Sequence, residues 1–160
     1  MRYLHYYDSP VGQLGVVADQ RAVYQITFAC EVPKGPVLLG ETLLHQEAAK
    51  QLNEYFAGRR ASFELPLQAE GTEFQKAVWQ ALQKLPYAET ASYSEIAAQI
   101  GRPRAFRAVG GAVHANPLAI VIPCHRVIGK DGGLTGFGGG LKVKRLLLDL
   151  EQSSKSGTTP

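Results

Sequence analysis

The sequence predicts an α+β protein, and three observations carry this. β-branched and aromatic runs fill much of the first 30 residues. Two Ser/Thr-x-x-Glu/Gln signals, at Thr72 and Ser92, open helical segments further on. Strands and helices also come in runs, without the strict alternation of a parallel α/β sheet. The expected organisation is a small N-terminal sheet-and-helix domain over 1–70, a mainly helical C-terminal domain over 71–153, and a flexible tail over 154–160.

Gly12–Asp19 and Ala22–Ala29 read as strands joined by a turn at Asp19-Gln20-Arg21. Glu31–Gly40 holds Pro33, Gly35, Pro36 and Gly40 and reads as a loop. Thr42–Ala57 reads as an amphipathic helix with Leu44, Ala48, Leu52, Tyr55 and Phe56 on one side, stopped by Gly58. Ala61–Leu67 is expected to be a further strand. The capping box Thr72-Glu73-Phe74-Gln75 starts a helix that buries Phe74, Val78, Trp79 and Leu82 and ends before Pro86. Ser92-Tyr93-Ser94-Glu95 starts another, through Ile96 and Ile100, stopped by Gly101-Arg102-Pro103; the next runs from Arg104 to Ala115, ended by Asn116-Pro117. Two short helices joined through a glycine turn match a helix-turn-helix. Leu118–Ile122 reads as a buried strand, Leu141–Glu151 as a helix, and the Ser/Thr/Gly-rich stretch after Glu151 as disordered.

The chain has 160 residues, 45% hydrophobic and 19% charged, which suits a folded core and excludes a disordered polyelectrolyte. No apolar run approaches the roughly 18 residues of a membrane helix, and Met1–Asp8 lacks the apolar core of a signal peptide. Cys30 and Cys124 are the only cysteines, which excludes a disulfide scaffold and a four-cysteine zinc site. A reducing, cytoplasmic setting is the simplest reading. Neither a membrane partner nor a cofactor is expected, and the chain is expected to act as a monomer.

Charge is unevenly placed. Residues 1–101 carry 8 Lys/Arg against 11 Asp/Glu, whereas 102–148 carry 8 Lys/Arg against the single Asp131. Such a block is the footprint of a polyanion. It coincides with the helix-turn-helix, whose second helix is rich in small residues. Each interior glycine there costs a helix about 1 kcal/mol against alanine. The pair Gly110-Gly111 therefore implies close approach by another backbone, either a neighbouring helix or a nucleic acid. The helix lacks an Asn/Gln/Arg set suited to reading bases in the major groove, so sequence-independent binding is expected.

The apolar stretch 118–122 delivers Pro123-Cys124-His125-Arg126-Val127-Ile128. A cysteine beside histidine and arginine sits in positive potential, which favours thiolate. Adjacent residues of an extended strand point to opposite faces. Direct Cys124–His125 proton transfer therefore needs either a turn or a bridging water, with Glu151 as the candidate partner of the imidazole. Cys30 has no such company and reads as structural.

These residues resemble the active-site motif of the O6-alkylguanine-DNA alkyltransferases, also called methylated-DNA–protein-cysteine methyltransferases. Phe74-Gln75, Val78-Trp79, Pro86-Tyr87, Ser92-Tyr93, Arg107-Ala108-Val109-Gly110, Asn116-Pro117 and Gly139-Gly140 fall in that family's order and spacing, and the close match runs from Gly71 to Glu151. The resemblance implies direct-reversal DNA repair. A single-turnover transfer would move the alkyl group of O6-alkylguanine in double-stranded DNA, with O4-alkylthymine as a second candidate, onto Cys124.

It further implies roles for individual residues. His125 and Glu151 would form the relay that deprotonates Cys124, and Asn116 would brace the active-site turn. Tyr93 would donate a proton toward guanine N3. Arg107 would fill the stack left by the flipped base, on a helix that meets the minor groove through Ala105, Phe106 and Gly110. Val113, Val127, Phe137 and Gly138 would line the base pocket, with the Cys124 and Val127 carbonyls accepting from the exocyclic amine. Two departures stand out: Phe137 occupies a position where many members have tyrosine, and His5 and His45 with one cysteine make a poor zinc ligand set for the N-terminal half.

Competing readings are a DNA-lesion binder without chemistry, which would lack Cys124, and a Cys–His hydrolase. No Gly-x-Ser-x-Gly elbow is present, and phosphate-loop patterns fail, since Gly129-Lys130 is followed by Asp131.

Overall fold

Strands β1 (Tyr3–Tyr7), β2 (Leu14–Ala18), β3 (Val23–Phe28) and β4 (Leu38–Leu39) pair in the order β3-β2-β1-β4. The computed structural model describes residues 1–29, 31–133, 137 and 139–156. It confirms an α+β fold and divides into two compact units, Met1–Ala69 with Pro117–Ala119, and Glu70–Asn116 with Ile120–Pro160.

In the first unit β2 and β3 are buried along their whole length, β3 with the polar Gln25 and Thr27 among its buried residues. Their turn is set by Asp19, whose carboxylate accepts from the Arg21 and Ala22 amides and from the Tyr24 hydroxyl at 2.7–3.0 Å. β1 runs antiparallel to β2 and parallel to β4. The sequence reading covers β1 only under its general expectation of strands, because Tyr-Leu-His-Tyr-Tyr carries a weak apolar pattern. β4 lies inside the segment expected to be a loop.

Helix α1 (Leu43–Phe56) is capped by Thr42, with His45 in the place usually held by Glu or Gln. His45 is buried, its Nδ1 accepts from the Thr42 amide at 2.9 Å, and its Nε2 lies 3.0 Å from the Tyr3 carbonyl. The expected strand at Ala61–Leu67 is corrected: only a single bridge, Val23 with Leu67, forms there. The Gln51 side-chain amide stands in for a strand partner, donating to the Glu64 carbonyl at 3.1 Å and accepting from its amide at 2.8 Å. Gln25 does the same for Lys34 at 2.8 and 2.9 Å.

The second unit is built from α2 (Glu73–Gln83), α3 (Tyr93–Gln99), α4 (Phe106–His114) and α5 (Leu141–Ser156), with a two-stranded parallel ribbon of β5 (Ala91–Ser92) and β6 (Val127–Ile128). Both capping boxes form as expected, with Thr72 accepting from Gln75 and Ser92 from Glu95. Val78, Trp79 and Leu82 are buried, while Phe74 is half-buried. Trp79 Nε1 donates to the Ala112 carbonyl at 2.8 Å, satisfying a group in the last turn of α4 that the helix leaves open. The α3–α4 turn contains Gly101 at φ +76, the left-handed C-terminal position that favours glycine.

Three boundaries differ from expectation. α4 starts at Phe106, not Arg104, because Arg102–Ala105 closes a turn of its own (Ala105 amide to Arg102 carbonyl, 2.9 Å). Leu118–Ile122 is not a strand: Leu118 makes one bridge with Ile26, and the following residues are turns. α5 continues through Ser156, so the start of the expected flexible tail is helical, and 157–160 lie outside the described residues.

Candidate active site and nucleic-acid interface

The site grows from the turn after α4. Ile120 is buried and left-handed at φ +72, an outlier for a β-branched residue. It reverses the chain into Ile122, whose carbonyl accepts from the Cys124 amide at 2.7 Å and from Asn116 Nδ2 at 2.8 Å. Asn116 thus shares an acceptor with the Cys124 amide. Cys124–Arg126 is a 3-10 turn, not extended strand. Three residues per turn bring neighbouring side chains off the opposed arrangement of a strand, which removes the geometric objection to a Cys124–His125 pair. Cys124 is 7% exposed, His125 fully buried.

His125 Nε2 lies 2.7 Å from Glu151 Oε2. Glu151, itself buried, also accepts from Arg126 Nε at 2.8 Å, Arg126 Nη2 at 3.0 Å and the Ala88 amide at 3.0 Å. Guanidinium and amide nitrogens can only donate, so the carboxylate is the acceptor of the cluster and His125 Nε2 carries the proton toward it. Burial holds His125 below the ordinary histidine range, opposed by the Glu151 hydrogen bond. A neutral imidazole with its Nε2 proton fixed leaves Nδ1 as the basic nitrogen.

Lys144 and Arg126 are the residues the sequence reading missed as site members. Both fall in the basic block of the sequence, yet they are 1% and 6% exposed. Lys144 Nζ donates to the Val127 carbonyl at 2.6 Å and lies 6.0 Å from the Phe137 ring centre. Burial lowers its ammonium from the ordinary lysine value, and the charge of Cys124 acts in the opposite direction. A signal was present: Lys144, Leu147 and Glu151 fall at i, i+3 and i+7, one face of a helix. The Cys124 carbonyl accepts from the Val127 amide; each of these carbonyls retains a second lone pair.

Tyr93 opens α3 directly after β5, and the β5–β6 register, Ala91 with Val127 and Ser92 with Ile128, sets it near the end of the Cys124 turn. Its ring lies under α4, 3.7 Å from where a Cβ on Gly110 would sit. Val113 is buried on α4. Phe106 and Arg107 stay on the solvent face, and Ala105, half-buried, is an N-cap without a side-chain acceptor. A Cβ at Gly111 would meet nothing within 4 Å. Arg102, Arg104, Arg107, Lys130, Lys142 and Arg145 are exposed. Gly138 and Cys30 lie outside the described residues.

Residues 73–153 match the DNA-binding domain of 6-O-methylguanine DNA methyltransferase, and residues 2–69 match its ribonuclease-like domain. The chain belongs to the 6-O-methylguanine DNA methyltransferase family. Among members of this family, a Methanosarcina barkeri methylated-DNA–protein-cysteine methyltransferase is 46% identical over 93% of this chain and 98% of its own length. One from Haemophilus influenzae is 46% identical over 94% of this chain and 86% of its own. The crystal structure of Mycobacterium tuberculosis OGT in complex with DNA superposes with a TM-score of 0.90 at 44% identity, covering 95% of this chain and 94% of that one. A Pyrococcus kodakaraensis O6-methylguanine-DNA methyltransferase shares the fold at 21% identity and a TM-score of 0.57. No described helix of this family member is long and apolar enough to cross a membrane, and its described residues include no group of three His, Cys, Asp or Glu able to hold a metal ion.

Proposed function

We propose that this chain is a direct-reversal DNA repair protein that moves the alkyl group of O6-alkylguanine in duplex DNA onto Cys124 Sγ. The observation that carries the reading is the buried His125–Glu151 pair directly after the buried Cys124, with Glu151 fixed as an acceptor by Arg126 and Ala88. His125 Nδ1 takes the Cys124 proton, directly or through a water, and Glu151 stabilises the imidazolium that forms. The thiolate attacks the alkyl carbon, a C–S bond forms, and the C–O6 bond breaks with its electron pair left on guanine. Tyr93 supplies the proton toward N3, and the proton taken up by His125 makes good the one Tyr93 has lost, so the thiol hydrogen is exchanged for the alkyl group. A thioether has no good leaving group, and each molecule acts once.

Binding fits the same reading. The target base must leave the stack to meet a buried thiol. Exposed Arg107 on α4 fills the vacancy, with Phe106 beside it. Gly111 presents bare backbone with open space above it, which favours close approach of a nucleic acid over a neighbouring helix. Six exposed cations of the basic block supply sequence-independent phosphate contacts. Val113, Val127 and Phe137 line the base pocket, where Lys144 already donates to one of the carbonyls offered to the exocyclic amine. The cytoplasm is the inferred compartment, because the acceptor must stay reduced.

Incubation with duplex DNA labelled in the O6-methyl group tests the function. Label is expected on the protein; label that stays on DNA indicates a lesion binder, and label released as a small molecule indicates a hydrolase.

A further inference from the structure

We propose that Gln152 is a positioning residue for alkyl transfer, acting through the backbone of Ala88; the proposal rests on the function set out above. Pro86–Glu89 is a β-turn closed by the Glu89 amide on the Pro86 carbonyl at 3.1 Å. Ala88 stands third in that turn at φ +64 and is buried. A positive φ at this position defines the turn type that asks for glycine. Alanine prefers the alternative, in which the Tyr87–Ala88 peptide is turned over and its N–H faces the other way.

Two consecutive residues of α5 grip this alanine. Glu151 Oε1 accepts from its N–H at 3.0 Å, and Gln152 Nε2 donates to its carbonyl at 2.6 Å. The N–H bond is one of the contacts that fix the relay carboxylate. The Gln152 bond anchors the carbonyl of the same residue to α5, so the turn cannot draw back from Glu151 to relieve the positive φ of Ala88 without breaking it. The same segment leads through β5 into Tyr93.

The test uses the full chain and two readouts. Transfer from an O6-methylguanine duplex reports the function itself, and the pH profile of Cys124 alkylation by iodoacetamide reports the relay whether or not transfer occurs. Gln152→Ala is expected to slow both reactions at neutral pH by about threefold to tenfold, the equilibrium worth of one ordinary hydrogen bond, and to move the iodoacetamide profile to higher pH. Gln152→Glu keeps the length, loses the donor and is expected to do the same. Adding Ala88→Gly to Gln152→Ala is expected to restore the rates and the profile, because glycine takes positive φ without help. An unshifted profile in Gln152→Ala, or a shift that Ala88→Gly does not restore, overturns the proposal. If the unaltered protein transfers no methyl group while the profile shifts and is rescued, the proposed function fails and the positioning role stands.

Discussion

Arg126 grips Glu151 with two nitrogens, Nε on one carboxylate oxygen at 2.8 Å and Nη2 on the other at 3.0 Å, and the pair is buried. Arg126 Nη1 also donates to the Leu85 carbonyl at 2.8 Å, tying the end of α2 to the Cys124 turn. The arginine next to the nucleophile is thus spent on the relay carboxylate and is not part of the surface that meets a polyanion.

Arg126→Met is expected to destabilise the chain by about 3–5 kcal/mol, because it leaves a buried carboxylate without its charge partner. Combining it with Glu151→Gln is expected to recover part of that loss while leaving transfer slow. Urea denaturation of the single and double variants checks this, and equal stability of the two would contradict it.

The buried histidine sets a pH dependence of stability. His125 titrates below the ordinary value of 6.5 in the folded chain, whereas the unfolded chain takes up the proton near that value. The unfolded state therefore binds more protons between the two values, and stability rises with pH there. The contribution is fully present above about pH 6.5 and is lost as pH falls toward the folded value. His125→Gln is expected to flatten this slope between neutral and mildly acidic pH in denaturation curves. An unchanged slope would assign the acid sensitivity to other groups.

Lys144 places a buried ammonium against the Val127 carbonyl, where the Cys124 turn ends. Lys144→Gln keeps a donor for the Val127 carbonyl and removes the charge. It is expected to slow iodoacetamide alkylation of Cys124 at neutral pH by about tenfold, the effect of one pH unit in thiolate availability. The profile should move to higher pH with an unchanged plateau. A fall in the plateau alone would show that the lysine shapes the pocket and leaves the charge balance untouched.

Gly111 separates folding from binding. With open space around its missing Cβ, Gly111→Ala is expected to stabilise α4 by up to about 1 kcal/mol and to weaken affinity for duplex DNA. Thermal denaturation and fluorescence anisotropy read the two effects separately. A stabilised variant with unchanged affinity would remove α4's bare backbone from the interface.

Much of this was legible in the sequence. Strong local signals set the elements: the Thr72 and Ser92 capping boxes, Gly101 after α3, and the β-branched and aromatic runs of β2 and β3 all form where expected. His125 meets Glu151, and Asn116 shares the Ile122 carbonyl with the Cys124 amide. What stayed hidden depends on contacts distant in the chain. Ala61–Leu67 and Leu118–Ile122 have strand-like composition but find a single ladder partner each. Formal charge could not tell that Arg126 and Lys144 turn inward, since only the packing of α5 against the Cys124 turn removes them from solvent. The left-handed turn at Ala88 carries no glycine to announce it.

The proposed function requires that Cys124 alone accepts the alkyl group, once. Peptide mass spectrometry after reaction with excess O6-methylguanine duplex tests it most directly. One methyl group per chain is expected, on the peptide containing Cys124, with an unmodified Cys30 peptide and no methyl transfer in Cys124→Ala. Methyl on Cys30, or more than one equivalent of guanine restored per chain, would contradict it.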